Sequence, residues 1–186
     1  MFLMNKIIFI DYSFTNLLNK FIPHNVFFDY FFSFFSIIGT TTLIWIVLAI
    51  LLIVFEEIKH KKFIIYFALS LITTSLLVNV VIKNIIRRPR PTMEISNFKF
   101  QISNCPADFS FPSGHAATAF AAAAILAYFD KKRRWFYYTV AILISYSRIY
   151  LGCHYFLDVI SGALIGYIIS RLLLFVHGTF PSRRKS

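Results

Sequence analysis

Residues 31–55 read FFSFFSIIGTTTLIWIVLAILLIVF, 25 positions without one charged side chain. A helix needs about 20 largely apolar residues to cross the hydrocarbon core of a bilayer, so this stretch predicts a membrane span. Working outward, a charged break follows at Glu56-Glu57-Ile58-Lys59-His60-Lys61-Lys62, and a second apolar run covers Phe63 to Ile82 and stops at Lys83. Asn84 to Pro112 is polar, basic and interrupted by four prolines, which reads as a long loop. Gly114–Phe129, Trp135–Ser147 and Tyr155–Val176 are further runs, with a basic break at Asp130–Arg134. The expected fold is all-α, a polytopic membrane helix bundle of five transmembrane helices, or six if the N-terminus adds one. Residues 1–25 read instead as a helix lying in the interface: Asp11 cuts the run Ile7–Ile10, and Leu17, Leu18, Phe21 and Ile22 recur at helical spacing. The apolar stretch there is short and lacks a small-residue cleavage site, unlike a signal peptide.

Composition agrees. The 186 residues are 58% apolar, 19% aromatic and only 15% charged, against about 25% charged in an ordinary soluble domain. The length suits one domain over 1–186: an interfacial segment at 1–25, a membrane core at 31–176 and a basic cytoplasmic tail at 177–186. A net charge of +11 raises nucleic acid as a partner. The basic residues, however, sit in short clusters between apolar runs, so the bilayer is the expected partner and nucleic acid is not. Lys59, Lys61, Lys62, Lys131 to Arg134 and Arg183-Arg184-Lys185 place ten basic residues on one side, which should be cytoplasmic. Loops 84–113 and 148–154 then face outward. The oligomeric state is not legible. Ala116–Ala124 reads as a close-packing helix face, and Gly162 and Gly166 as packing inside the bundle rather than a dimer interface.

Three segments on that outer side carry the polar groups suited to chemistry. In the third, Ser147-Arg148 is followed by His154 and Asp158, which share a helix face four residues apart. A carboxylate on one imidazole nitrogen fixes the tautomer and leaves the other nitrogen as a nucleophile, although a capping or pairing Asp158 is the plain alternative. In the second, Pro112-Ser113-Gly114-His115, Ser113 suits an N-cap and the free N–H groups of the first turn suit an anion, with His115 beside them to move a proton. In the first, Lys83 to Pro91, Lys83 and Arg90 add cations to Arg148, while Arg87 and Arg88 read equally well as contacts to anionic headgroups.

Taken together, K-x6-R-P, P-S-G-H and S-R-x5-H-x3-D, in that order, resemble the type 2 phosphatidic acid phosphatase family. Its soluble relatives include vanadium haloperoxidases and bacterial acid phosphatases. The resemblance covers roughly Phe31 to Val176 and fills every defining position of the three motifs; the short N-terminus is the one departure. It implies a membrane lipid phosphate phosphatase. His154 would be the attacking nucleophile oriented by Asp158, and His115 the acid and then the base. Lys83, Arg90, Ser113, Gly114 and Arg148 would bind the phosphoryl oxygens. No cofactor and no metal are expected, since three cations already neutralise the group; His115 and His154 as metal ligands lack a completing cluster. With little chain outside the membrane, the expected substrate is a lipid phosphate arriving sideways from the bilayer. Undecaprenyl diphosphate comes first by resemblance to small bacterial members, ahead of phosphatidylglycerophosphate, phosphatidate and a lipid A phosphate. The site would face the outer side of a bacterial inner membrane. A lipid-phosphate transporter or silent binding protein is the alternative of a different class, and a vanadate-dependent oxidase fits five spans poorly. His24, His60 and His177 fall outside the motifs and read as interfacial or solvated. Cys105 and Cys153 both fall on the outer side, where a disulfide survives, but their spacing leaves open whether they pair.

Overall fold

Backbone groups in hydrocarbon must be satisfied within their own segment, so long apolar runs fold as helices. The computed structural model describes residues 2–40, 43–55, 62–91 and 105–176, and every regular element among them is helical. In chain order these are α1 (Phe2–Phe21), α2 (Val26–Thr40), α3 (Leu43–Val54), α4 (Lys62–Ser75), a π-helical segment Leu76–Ile82, α5 (Lys83–Ile86), α6 (Gly114–Phe129), α7 (Arg134–Tyr150) and α8 (Phe156–Val176). The charged break at 56–61, the loop residues 92–104 and the tail 177–186, with His60 and His177, lie outside the described residues. By length and composition Lys62–Ile86 and Phe156–Val176 are each able to cross a membrane.

Helix α6 is the axis of the bundle. From Ala116 to Leu126 it is buried at every position except Phe120, because small side chains let its neighbours approach. The contact with α8 is a seam of backbone on backbone. A Cβ added at Gly162 would lie 2.4 Å from the Ser113 carbonyl oxygen, and one at Gly166 would lie 2.0 Å from that of Ala117. One step further, Ser170 Oγ donates to the Ala121 carbonyl at 3.1 Å and meets Ser70 Oγ of α4 at 2.6 Å. Gly162 and Gly166 therefore pack inside the bundle. On the other sides, Trp45, Ala49 and Leu52 of α3, Phe63, Tyr66 and Phe67 of α4, and Tyr137, Ala141 and Ile144 of α7 close one apolar core around α6.

The element boundaries differ from the sequence reading in two places. The run 31–55 falls in α2 and α3, with residues 41–42 outside the described ones. Its helix starts earlier, at Val26, because Asn25 Oδ1 accepts the Phe28 N–H at 3.0 Å and caps it. The second run does not stop at Lys83 but continues to Ile86, since the Lys83 charge is answered by Asp108. Within it the buried positions Phe63, Phe67, Ser70, Thr74 and Val78 step by three or four, and the next buried residue is Lys83. That longer step is the π segment, in which the Lys83 N–H bonds the Val78 carbonyl. In a plain α-helix the same residue would point about 100° away.

Helix α1 turns through 120° into α2. Ile7, Ile8, Phe9, Ile10, Leu17 and Phe21 are exposed, whereas Asp11, Thr15 and Asn19 are buried. The helix is thus polar toward the protein and apolar away from it, the arrangement expected of a helix at a lipid boundary.

The seam gives a direct test. Gly162→Ala and Gly166→Ala should each cost about 1–3 kcal/mol through overpacking against backbone that cannot move aside. The readout is a lowered Tm in detergent, and an unchanged Tm for Gly166→Ala would mean that α6 and α8 can separate freely.

Candidate active site

The three polar segments meet at one end of α6. Ser113 is fully buried and caps α6, its Oγ accepting the Ala116 N–H at 3.5 Å, while its own N–H donates to the Asp158 carbonyl at 2.9 Å. That bond ties the start of α6 to the first turn of α8. Beside it lies a cavity of about 270 Å³ lined by Gly39, Ser75, Asn79, Lys83, Arg90, Pro106, Asp108, Gly114, His115, Thr118 and His154. Gly114 packs closely on Asn79: a Cβ would sit 2.5 Å from Asn79 Oδ1 and push that side chain aside. All eight residues expected from sequence converge. Lys83, Arg90, Gly114, His115 and His154 line the cavity, with Ser113, Arg148 and Asp158 buried around it.

The tautomer of His154 follows from its neighbour. Arg90 Nη1 lies 3.0 Å from His154 Nε2, and a guanidinium can only donate. Nε2 is therefore the unprotonated nitrogen and the proton belongs on Nδ1, which faces Asp158 Oδ2 at 3.5 Å. No hydrogen bond is formed at Nδ1 among the described residues; such contacts often tighten only when substrate is bound. Burial first, then the charges of Arg148, Arg90 and Lys83, hold the His154 imidazole well below its usual pKa, so it is neutral near pH 7. Asp158 is itself fixed: Oδ2 accepts the Tyr155 N–H at 2.9 Å, and Oδ1 accepts Arg88 Nη1 at 2.7 Å.

Three cations gather here, and they are unequally satisfied. Arg90 Nε donates to the Asp108 carbonyl at 2.9 Å and Nη1 to the Cys153 carbonyl at 2.8 Å, while Lys83 and Arg90 share the two carboxylate oxygens of Asp108. Arg148, 2% exposed, pairs with Ser36 Oγ through Nη1, yet its buried Nε and Nη2 find no hydrogen-bond partner among the described residues. Burying a guanidinium with donors unmet is costly unless an anion completes it. A tetrahedral oxyanion matches this set of donors.

Three participants carry no motif spacing in the sequence: Asp108, Asn79 and Ser36. Arg88 reads from sequence either as a site cation or as a headgroup contact. It pairs with Asp158 and with Asp11, whereas Arg87 is exposed and its Nε donates to the Asn84 carbonyl at 2.9 Å. The two cysteines are joined, with Cα atoms 5.5 Å apart, and tie the segment carrying Asp108 to the loop carrying His154. His24 is exposed but stacks on Tyr150, ring centroids 4.3 Å apart.

A family model described as PAP2 superfamily matches residues 63–181. The chain is 32% identical over 142 residues to an undecaprenyl-diphosphatase of Sulfolobus acidocaldarius, covering 76% of this chain and 67% of that one. It is 30% identical over 174 residues to a lipid A 4'-phosphatase of Bacteroides thetaiotaomicron, covering 88% and 76%. The crystal structure of a transmembrane PAP2 type phosphatidylglycerolphosphate phosphatase from Bacillus subtilis superposes with a TM-score of 0.74. It covers 97% of this chain and 90% of its own at 21% identity, a likeness of fold.

The Asp108 clasp is directly testable. Burial pushes its carboxyl up, but the hydrogen bonds and charges of Lys83 and Arg90 outweigh this and hold it below the usual range. Its contribution is therefore in place above the unfolded carboxylate pKa and lost as pH falls through the lower folded value. At neutral pH the carboxylate competes with any bound oxyanion. Asp108→Asn should tighten binding of orthovanadate or inorganic phosphate about tenfold, measured by titration calorimetry or by the anion-dependent rise in Tm. Unchanged or weaker binding would show that the carboxylate and the anion do not compete.

Proposed function

The chain belongs to the PAP2 superfamily, and from that premise we propose that it is an integral membrane lipid phosphatase working through a phosphohistidine on His154. The observation that carries this reading is the pair of unmet, buried donors on Arg148, whose charge acts on a neutral imidazole with its unprotonated Nε2 held by Arg90 Nη1 and its ring lining the cavity. A binding protein needs the cations; it has no use for an aligned nucleophile with an orienting carboxylate.

In the proposed reaction the substrate phosphoryl group displaces Asp108 and takes the donors of Lys83, Arg90 and Arg148, with the Ser113 side chain and the Gly114 N–H completing the cradle. His154 Nε2 attacks phosphorus, the P–N bond forms as the P–O bond to the lipid breaks, and His115 donates a proton to the leaving oxygen. Asp158 stabilises the positive charge that develops on the ring. Water, deprotonated by His115, then attacks phosphorus from the vacated side, releasing inorganic phosphate and restoring His154. The cations act mainly on the charge of the transition states.

For the substrate we propose undecaprenyl diphosphate, the leaving group then being undecaprenyl phosphate. The named activity of the Sulfolobus relative supports this choice, and the lipid A 4'-phosphatase supports a monoester substrate as runner-up. Phosphatidylglycerophosphate and phosphatidate complete the panel. The site is proposed to face the outer side of a bacterial inner membrane. Support comes from the basic breaks at the opposite end and from the Cys105–Cys153 bond, which persists where thiols are not kept reduced.

Phosphate release in detergent from these four lipid classes is the test. His154→Ala and Asp158→Asn should each lower kcat by about 10³-fold or more while the protein stays folded. Near-wild-type release by His154→Ala would overturn the mechanism, and binding of every lipid with no release by the wild-type protein would overturn the activity.

A further inference from the structure

The N-terminal helix bears on the His154 loop through one polar stripe. Asp11, Thr15 and Asn19 are spaced by four, buried, and all directed at residues 149–158. Asn19 Nδ2 donates to the carbonyls of Ile149 and Tyr150 at 2.9 and 2.7 Å, where α7 ends. Thr15 Oγ1 accepts the Phe156 N–H and Asp11 Oδ1 the Leu157 N–H, both at 2.9 Å, where α8 begins. These are the end groups a helix cannot satisfy itself, and here a different helix supplies the partners.

Asp11 does more than cap. Its Oδ2 accepts Arg88 Nη2 at 2.6 Å, and the same guanidinium gives Nη1 to Asp158 Oδ1 at 2.7 Å while lying 4.0 Å over the Tyr155 ring. Asp11 and Asp158 are 2% and 0% exposed. We propose that Asp11 is a positioning residue for His154, acting through Arg88 and Asp158. This rests on the reading of His154 as nucleophile.

Charge is shared along this chain of residues. His154 is faced by Arg148 from α7, Arg90 from the segment after α5, Lys83 from α5, His115 from α6, Asp108 from the preceding loop and Asp158 from α8. The three cations oppose the positive charge that the ring must take up on attack, and Asp158 is the carboxylate placed at Nδ1 to offset them. If Arg88 were paired with Asp158 alone, it would draw off that carboxylate's charge. Divided between two carboxylates, it orients Asp158 and leaves it negative toward the ring. The anion cradle contains neither Asp11 nor Arg88, so the effect belongs to turnover and not to binding.

Asp11→Asn keeps the size and an acceptor for the Leu157 N–H, but removes the charge and turns the atom that accepts Arg88 Nη2 into a donor, breaking that link. It should lower kcat about ten- to a hundredfold, leaving KM and the vanadate Kd within about twofold of wild type. Thr15→Val, which removes the neighbouring cap without touching Arg88, should lower Tm with a much smaller loss of kcat. A purely structural role for the stripe predicts instead that both variants lose kcat in proportion to Tm, and that result overturns the proposal. So does a folded Asp11→Asn with wild-type kcat. Should Asp11→Asn not fold, Arg88→Gln interrupts the same chain one link nearer, and a folded Arg88→Gln with wild-type kcat overturns it equally. His154→Ala, measured alongside, separates the two failures: activity there removes the nucleophile itself, whereas an inactive His154→Ala beside a fully active Asp11→Asn removes only the positioning role.

Discussion

Three cations drawn together at the end of an apolar bundle are the constraint around which the rest is arranged. Lys83 is 5% and Arg148 2% exposed, so bulk water does little to screen them from one another. Left alone, such a cluster would repel itself apart. Asp108 answers two of the charges, and the segments that carry them are fastened to one another. Ser110 donates its N–H to the Arg88 carbonyl at 2.8 Å and its Oγ–H to the Pro89 carbonyl at 3.0 Å. Ser113 bonds to Asp158, and the disulfide joins 105 to 153. The fastening is what permits one set of donors, on Arg148, to remain unmet.

Much of this was legible in the sequence, and the limits have physical reasons. Lys83, Arg90, Ser113–His115, Arg148, His154 and Asp158 could be named because fixed spacings encode shared faces and helix starts. The continuous apolar runs Gly114–Phe129 and Tyr155–Val176 located α6 and α8 almost to the residue. What resisted is whatever depends on contact between segments distant in sequence. Asp108 answers Lys83 across 25 positions and Asp11 answers Arg88 across 77; no local pattern announces either. Asp11 could have raised suspicion by itself, since a carboxylate among Ile7–Ile10 and Leu17–Leu18 is expensive near lipid and needs a partner. Reading it only as a break in an apolar run hid the face that matters.

Helix α1 also shows why amphipathicity has to be read in both directions. At the surface of a soluble domain an apolar stripe turns inward. Here the outward face is the apolar one, and the inward face carries three polar side chains with specific acceptors and donors. Leu18 and Ile22 reach the protein and are partly buried, whereas Leu17 and Phe21 point away. The same helical spacing therefore describes two opposite surfaces, and only the bundle decides between them.

The π segment at Leu76–Ile82 has a consequence for how this helix tolerates changes in length. It absorbs one residue more than an α-helix would, and the flanking faces, Thr74 and Val78 on one side and Lys83 on the other, stay aligned only because of that surplus. A single-residue deletion inside the segment would let it relax into ordinary α geometry with both flanks still facing the core. The same deletion a turn earlier, in α4, would swing either its apolar face or Lys83 by about 100° out of place. The helix thus contains one short window in which its residue count can change, and Asn79, the side chain set against Gly114, stands inside it.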